Sequence, residues 1–138
     1  MINKALNIYT DGGARGNPGP AAIGVVIKDT NNKILHQFSH TIGPATNNLA
    51  EYQAVVAALE YLITNRHKPS SINFFLDSRL VVNQLNGLWK VKDSNLRQKV
   101  IIIRQLEGTL NTSIKYTAIP REQNFEPDAL LNQALDKV

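Results

Sequence analysis

The hydrophobic pattern changes its period once along the chain, and this change restricts the folds that the chain can adopt. Apolar and polar residues alternate over residues 6–11 and 34–42, while β-branched residues dominate residues 22–28. From Asn48 onward the apolar residues instead recur at the spacing of a helix face, at Leu49, Tyr52, Val56, Leu59 and Ile63. Short connections favour pairing between successive strands. The sequence therefore predicts three strands in an antiparallel meander, followed by a long helix.

The second half of the chain alternates between strand and helix patterns. After a polar turn at residues 68–71, a short apolar run indicates a buried strand. The predicted elements are a strand at 72–76, a helix at 78–85, a helix at 95–110, a strand at 113–118 and a helix at 127–138 that begins near a proline. We find no repeat and no low-complexity linker, so we expect one domain over residues 1–138. A meander followed by alternating elements predicts a mixed sheet with helices on its faces.

Composition sets outer limits on function. The 138 residues are 43% apolar and 19% charged, which is typical of a globular chain. No stretch approaches the roughly 20 apolar residues of a membrane span, and residues 1–6 lack the apolar core of a secretion signal, so we expect a cytoplasmic protein without membrane contact. The absence of cysteine excludes disulfides, thiolate zinc sites and cysteine nucleophiles. The net charge of +4 favours a polyanionic partner only weakly.

Four carboxylates lie at the ends of predicted elements. Asp11 and Asp77 end the first and fourth strands, while Glu51 and Asp128 lie in the first turns of the long helix and the last helix. Partly buried carboxylates without basic partners repel one another by about 4 kcal/mol per close pair, so such a cluster usually holds cations. Oxygen ligands favour magnesium or manganese over zinc. Taken singly, each acid has a structural interpretation, since acids favour the first turn of a helix and aspartates often cap turns.

Four segments of the chain carry a specific resemblance to one family. They are YTDGGARGNPGPAAIGVVI, TNNLAEYQAVVAALEYL, FFLDSRLVVNQLNGLW and PREQNFEPDALLNQAL. In this order they resemble ribonuclease H of type 1 over nearly the whole chain, and IPREQN resembles the compact archaeal and bacterial branch that lacks a basic protrusion. The resemblance implies an α/β fold with a five-stranded mixed sheet, in which an antiparallel meander of three strands and two parallel strands are flanked by helices. It also implies an endoribonuclease that cuts the RNA strand of RNA/DNA hybrids and leaves 5′-phosphate and 3′-hydroxyl ends.

The same resemblance assigns the chemistry to the four acids. Asp11, Glu51, Asp77 and Asp128 match the family's catalytic and metal-binding residues, which use two divalent cations, Mg²⁺ with Mn²⁺ as a substitute. One cation activates the attacking water and the other stabilises the leaving 3′ oxygen. The glycines after Asp11 would let the backbone approach the minor groove of the hybrid.

Further positions match substrate contacts of the family. They are Gly12 and Asn17 at the RNA sugars, Asn47 and Asn48 in the minor groove, Thr46 at a DNA phosphate, and Trp89 at the DNA backbone. Many members of the family carry glutamine where this chain has Arg79, and we expect this arginine either to bind a phosphate of the substrate or to be solvated. Amide and backbone groups suit a 2′-hydroxyl because it both donates and accepts hydrogen bonds. Each position also has a structural interpretation: a turn former, the cap of the long helix at Thr46 or Asn47, a solvated cation or a core aromatic.

The loop before the last acid departs from many members of the family because it contains no histidine. In those proteins the histidine is thought to help proton transfer or product release. We predict that Arg121 or Glu122 takes over this role, or that the role is dispensable.

Two other classes of function stay open at this point. One is a hybrid- or duplex-binding module that has lost cleavage, against which four intact acids argue. The other is a nucleotide- or phosphate-binding protein that uses the turn at residues 12–19, but this turn matches neither G-x-G-x-x-G nor G-x-x-x-x-G-K-[ST]. Within the nuclease class, double-stranded RNA and single-ribonucleotide junctions are alternative substrates to the RNA/DNA hybrid. We expect a monomer.

Overall fold

The computed structural model describes residues 4–138. Residues 1–3, half of the segment 1–6 considered above for a secretion signal, lie outside the described part. Its strands are β1 (Ala5–Ala14), β2 (Gly19–Lys28), β3 (Ile34–Ala45), β4 (Ser71–Leu76) and β5 (Ser113–Ala118). Its helices are α1 (Asn47–Thr64), α2 (Arg79–Leu85), α3 (Ser94–Leu110) and α4 (Phe125–Asp136), with a 3₁₀ turn at Arg121–Gln123. The five strands form one sheet in the order β3-β2-β1-β4-β5. β1 to β3 are antiparallel and β1, β4 and β5 run parallel, which confirms the predicted α/β mixed sheet.

Helix α1 packs against one face of the sheet and forms the core with it. Thr46 rather than Asn47 caps the helix, because the Thr46 hydroxyl oxygen accepts a hydrogen bond from the Leu49 amide at 3.2 Å. Its buried row of Val55, Ala58 and Leu62 joins a cluster of buried side chains from β1, β2 and β4. Glu51 begins this row, as predicted, so the fold turns its carboxylate toward the sheet. Since α1 begins at Asn47, Glu51 lies just beyond the first turn rather than within it.

The sequence predicts that strand β1 ends at Asp11, but the strand continues to Ala14. The residues from Asp11 to Ala14 stay in the sheet because they pair with β2, from Gly24 to Ala21. Glycine is rare in strands, so the glycines after Asp11 made the predicted end of the strand too early. The pairing partner outweighs that propensity, and β2 and β3 are longer than predicted at the same end of the sheet for the same reason.

The two helices that follow strand patterns have shifted starting points. α4 begins at Phe125 instead of Pro127, so the proline is its third residue. A proline is tolerated there because the first amides of a helix have no partner within the helix. α2 begins at Arg79 because Ser78 is its cap, with the Ser78 hydroxyl oxygen 3.2 Å from the Val81 amide.

Candidate active site

Three of the four predicted acids come together where β1, β4 and α1 meet. Asp11 lies in β1, Asp77 directly follows β4, and Glu51 faces them from α1. β1 and β4 are parallel neighbours with Tyr9 opposite Phe75, so the same register brings Asp11 beside Asp77. One carboxylate oxygen from each acid lies within 4.8 Å of the other two. The structure therefore brings three of the four predicted acids together, while their catalytic and metal-binding roles stay predictions.

A close approach between β1 and α1 brings Glu51 to this cluster. A Cβ atom added to Gly12 would lie 2.1 Å from the carbonyl carbon of Ala50, which is shorter than any real contact. Gly12 is buried, and its amide donates to Oδ1 of Asp11 at 3.0 Å. Only a residue without a Cβ atom lets the helix backbone come this near. The structure thus gives Gly12 a packing reason, while its predicted contact to an RNA sugar stays a prediction.

Asp128 borders the same cleft from the first turn of α4. The cleft has a volume of about 400 Å³ and is lined by all four acids. α4 is held on β2 by Leu131 and Leu135, which pack against Ala22. Asn132, one turn further along, donates from Nδ2 to the Asp128 carbonyl oxygen at 2.9 Å and lies 3.3 Å from Oδ1. Asp128 is outside the group within 4.8 Å, so it stands at the rim of the cluster.

The electrostatics of the cluster are dominated by burial and by the charges of neighbouring acids. Burial, and after it the charge of Asp77, raises the pKa of Asp11 to about 8. Burial, and then the charges of Asp11 and Asp77, also raises the pKa of Glu51 well above its ordinary value. Oε1 of Glu51 is buried without a hydrogen-bond partner, and no ion pair within residues 4–138 involves these acids. An all-oxygen donor set with an unpartnered buried carboxylate fits a hard divalent cation.

Asparagines from the predicted substrate set hold the rim of the cleft in place. Oδ1 of Asn17 accepts a hydrogen bond from the Asn47 amide at 2.9 Å, and Oδ1 of Asn47 accepts one from the Ala14 amide at 2.9 Å. Both oxygens are therefore occupied by the protein, and the Nδ2 donors are the groups left to face a ligand. Asn48 is exposed and lines the cleft beside Asn47. Thr46 adjoins them as the cap of α1.

Four of the predicted substrate residues do not line the cleft: Asn17 and Thr46 adjoin its rim, while Arg79 and Trp89 lie on and after α2. Arg79 is exposed at the first position of α2, and Trp89 follows that helix with 47% of its surface exposed. Neither lines the cleft. The exposure of Trp89 excludes the core interpretation of this aromatic, and a contact to nucleic acid outside the cleft stays a prediction for both residues.

Comparison with known proteins identifies the family. A sequence profile described as "Reverse transcriptase-like" matches residues 9–134. Ribonuclease H of Rhodopseudomonas palustris (strain TIE-1) is 32% identical over 120 residues, which is 79% of this chain and 72% of that protein. The chain belongs to the ribonuclease H family. Ribonuclease HI of Halobacterium salinarum is 44% identical over 132 residues; the match covers 95% of this chain, which spans only 64% of the length of that protein.

A solved structure of the ribonuclease H family agrees with the fold described above. LC11-RNase H1 in complex with an RNA/DNA hybrid superimposes with a TM-score of 0.92 at 43% sequence identity. The match covers 96% of this chain and 97% of that one. The ribonuclease H fold therefore extends over essentially all of the described residues.

Several residues of this ribonuclease H cleft had no sequence signal of their own. Arg15 lines the cleft, and its Nη2 lies 2.6 Å from Oδ1 of Asp136 at the end of α4. Asn132 supports Asp128, and the fully buried Asn124 contacts Asp77. Isolated polar residues in turns and on helices are common on any surface, so only the folded arrangement reveals them. Of the two residues predicted to replace the missing histidine, Arg121 lines the cleft and Glu122 does not.

Proposed function

We propose that the chain is an endoribonuclease that hydrolyses the RNA strand of RNA/DNA hybrids with two divalent cations, giving 5′-phosphate and 3′-hydroxyl products. The observation that carries this proposal is the convergence of Asp11, Glu51 and Asp77 within 4.8 Å in an open cleft. Membership of the ribonuclease H family, and the hybrid bound by LC11-RNase H1, support the choice of reaction and substrate. Because the chain spans 64% of the Halobacterium salinarum relative, the proposal concerns the activity of this domain.

In this proposal Asp11, Glu51 and Asp77 hold the cations, and Asp128 completes the ligand set from the rim. When bound, the cations supply Lewis-acid chemistry, which activates a water molecule and stabilises charge on the leaving oxygen. The buried carboxylates provide the compensating negative charge in a site from which α1 excludes solvent on one side. We propose Mg²⁺ as the natural ion and Mn²⁺ as a substitute, since oxygen-only sites suit both.

The polar rim gives the proposed site its means of recognising RNA. Asn17 and Asn47 each have an occupied oxygen, so their Nδ2 groups offer hydrogen-bond donors to sugar or base oxygens in the minor groove. The side chain of Asn48, beside them, makes no hydrogen bond within residues 4–138, so it can supply both a donor and an acceptor. A 2′-hydroxyl matches that pair of functions and is absent from DNA. We therefore propose that Asn48 contributes most to the distinction between the two sugars.

Side chains in and around the cleft supply the contacts to the nucleic-acid backbone in this proposal. Arg121 lines the cleft, and Arg79 and Trp89 would contact the backbone of the hybrid outside it. Thr46 would contact a phosphate of the DNA strand at the amino end of α1.

Among residues 4–138, none of the helices combines the length and the apolar character of a membrane span. The cytoplasmic location and monomeric state expected from the sequence stay predictions.

A cleavage assay on four duplexes tests the proposed function. The purified protein and its Asp11→Asn variant are incubated with labelled RNA/DNA, RNA/RNA, DNA/DNA and single-ribonucleotide DNA, each with Mg²⁺, Mn²⁺ or EDTA. We expect metal-dependent cleavage of the RNA strand of the hybrid, which the variant lacks. Cleavage of RNA/RNA or of the single-ribonucleotide duplex would widen the substrate class. Binding of the hybrid without cleavage in any metal would instead indicate a binding module and contradict the proposal.

A further inference from the structure

Asn124 occupies the cap position of α4 without capping the helix. Its side chain is fully buried and makes no hydrogen bond to the first turn. An asparagine at this position usually accepts a hydrogen bond from the amide of the second or third helical residue. The third residue here is Pro127, which has no amide hydrogen. One of the two usual partners of this side chain is therefore missing from the sequence, and the side chain is turned into the protein instead.

The amide group of Asn124 contacts the segments that carry two of the acids. Nδ2 donates to the carbonyl oxygen of Thr10 at 2.8 Å and lies 3.5 Å from Oδ2 of Asp77. Thr10 directly precedes Asp11 in β1, and Asp77 directly follows β4. Oδ1 of Asn124 is buried without a hydrogen-bond partner. A buried amide with one unpaired atom is costly to keep, which indicates a role other than stability.

Asn124 is also the residue directly before the helix that carries Asp128. The two residues are one helical turn apart, so the position of the Asn124 backbone fixes the position of the Asp128 carboxylate relative to β1. One side chain thus joins β1, the end of β4 and α4, which together supply Asp11, Asp77 and Asp128. A neutral amide can orient a carboxylate by hydrogen bonding and leaves its negative charge in place. A lysine or arginine would neutralise that charge.

We propose that Asn124 is a positioning residue of the cation site, which orients the Asp77 carboxylate and holds Asp128 at its distance from Asp11. The proposal rests on the proposed function, because it takes these acids as cation ligands. Hydrogen-bond partners that orient the ligands of a metal typically contribute 10–100-fold to metal affinity or activity. Loss of the Asn124 amide should therefore reduce cation binding and turnover more than it reduces affinity for the hybrid.

Two variants and a control test this role. Asn124→Ala removes the side chain, and Asn124→Leu removes the amide while filling the same space, so an effect common to both belongs to the amide. Asn86→Ala is the control, because Nδ2 of Asn86 donates to the Tyr116 carbonyl oxygen at 3.0 Å, away from the cleft. We expect both Asn124 variants to raise the Kd for Mn²⁺, measured by calorimetry on metal-free protein, about tenfold or more. We also expect kcat to fall roughly 10–100-fold with KM for the hybrid changed less than about threefold, and the control to match the wild type.

The outcomes separate this role from a structural one and from the proposed function. A lower melting temperature with unchanged Mn²⁺ affinity and kcat would overturn the proposal. If the wild type fails to cut the hybrid but the Asn124 variants still lose Mn²⁺ affinity, the proposed function fails and the positioning role stands. A measurement on the unmodified protein covers variants that do not fold: the side-chain amide signals of Asn124 in NMR spectra should shift on titration with Mg²⁺. Signals that do not move at a saturating concentration would overturn the proposal.

Discussion

At the scale of single residues, the burial of the Asp11 and Glu51 carboxylates lowers the stability of the fold when no cation is bound. Burial raises the pKa of both, and the neighbouring acids add to the effect. The same groups would be stabilised by a cation placed between them, since an opposite charge favours the ionised form. The acidic cluster therefore lowers stability in the absence of metal and provides a site that could hold a divalent cation.

The raised pKa of Asp11 predicts a pH-dependent gain in stability for Asp11→Asn. The pKa lies at about 8 in the folded state against 3.8 ordinarily, so this group favours folding fully below about pH 4 and loses that contribution as the pH rises through 8. In EDTA, Asp11→Asn should be more stable than the wild type at pH 9, by on the order of 2 kcal/mol, and the difference should shrink toward pH 5. Melting curves from pH 5 to 9 measure it. A pH-independent difference would contradict the shift.

Arg121 and Glu122 form a matched pair for the role of the missing histidine. Arg121 lines the cleft, whereas Glu122 is exposed in the same 3₁₀ turn and does not. We expect Arg121→Ala to lower the single-turnover rate of hybrid cleavage roughly tenfold or more, because it removes positive charge near the reacting phosphate. Glu122→Ala should leave that rate unchanged. If both variants cut at the wild-type rate, the role is dispensable in this chain.

The sequence pointed to the four acids that line the cleft but not to the residues that contact them. Asp11, Glu51, Asp77 and Asp128 stand in segments with a specific family resemblance, and their element positions point them to one place. Asn124 lies in one of these segments too, but nothing in the sequence indicated its role, because that role depends on a contact to Thr10, more than a hundred positions away in β1. Long-range hydrogen bonds of this kind leave no local pattern in a single sequence.

At the scale of elements, the contact of β1 with α1 decides whether Glu51 reaches Asp11. Gly12→Ala would place a Cβ atom 2.1 Å from the Ala50 backbone, so strand and helix must separate. We expect a loss of about 3 kcal/mol or more in the free energy of unfolding, together with weaker divalent-cation binding. Urea unfolding and calorimetry measure the two effects.

Gly108→Ala is the control for the Gly12 variant. Gly108 lies within α3, and a Cβ atom added to it meets nothing within 4 Å. Alanine is favoured over glycine in a helix, so this variant should gain about 0.5–1 kcal/mol. Equal effects of the two substitutions would show that the close approach at Gly12 does not govern the site.

Element types were predictable where a periodic pattern was strong, and element ends were predictable only where local chemistry set them. The strand at Ser113–Ala118 has the predicted ends, and α1 follows the predicted apolar face. The end of β1 was wrong because β2 supplies a pairing partner that glycine propensity does not reveal. The start of α4 was wrong because a proline marks the whole first turn of a helix and not one position in it.

At the scale of the whole molecule, we propose that residues 1–138 form one cooperative domain. A single cluster of buried residues includes side chains from β1, β2, β4, β5, α1, α2 and α3. Small domains with one shared core usually unfold in one step. Urea transitions followed by far-UV circular dichroism and by the fluorescence of Trp89 should therefore coincide. Separate midpoints for the two signals would show that α2 and its following turn unfold independently.

The ends of the RNA products test the central claim most directly. Attack by a water molecule activated at the acidic cluster leaves a 5′-phosphate and a 3′-hydroxyl, whereas attack by the RNA's own 2′-hydroxyl leaves a 2′,3′-cyclic phosphate. Hybrid cleaved by the purified protein in Mg²⁺ is analysed by mass spectrometry, beside a reaction in EDTA. The account predicts 5′-phosphate fragments with Mg²⁺ and intact RNA in EDTA. Cyclic phosphate ends, or cleavage that persists in EDTA, would contradict it.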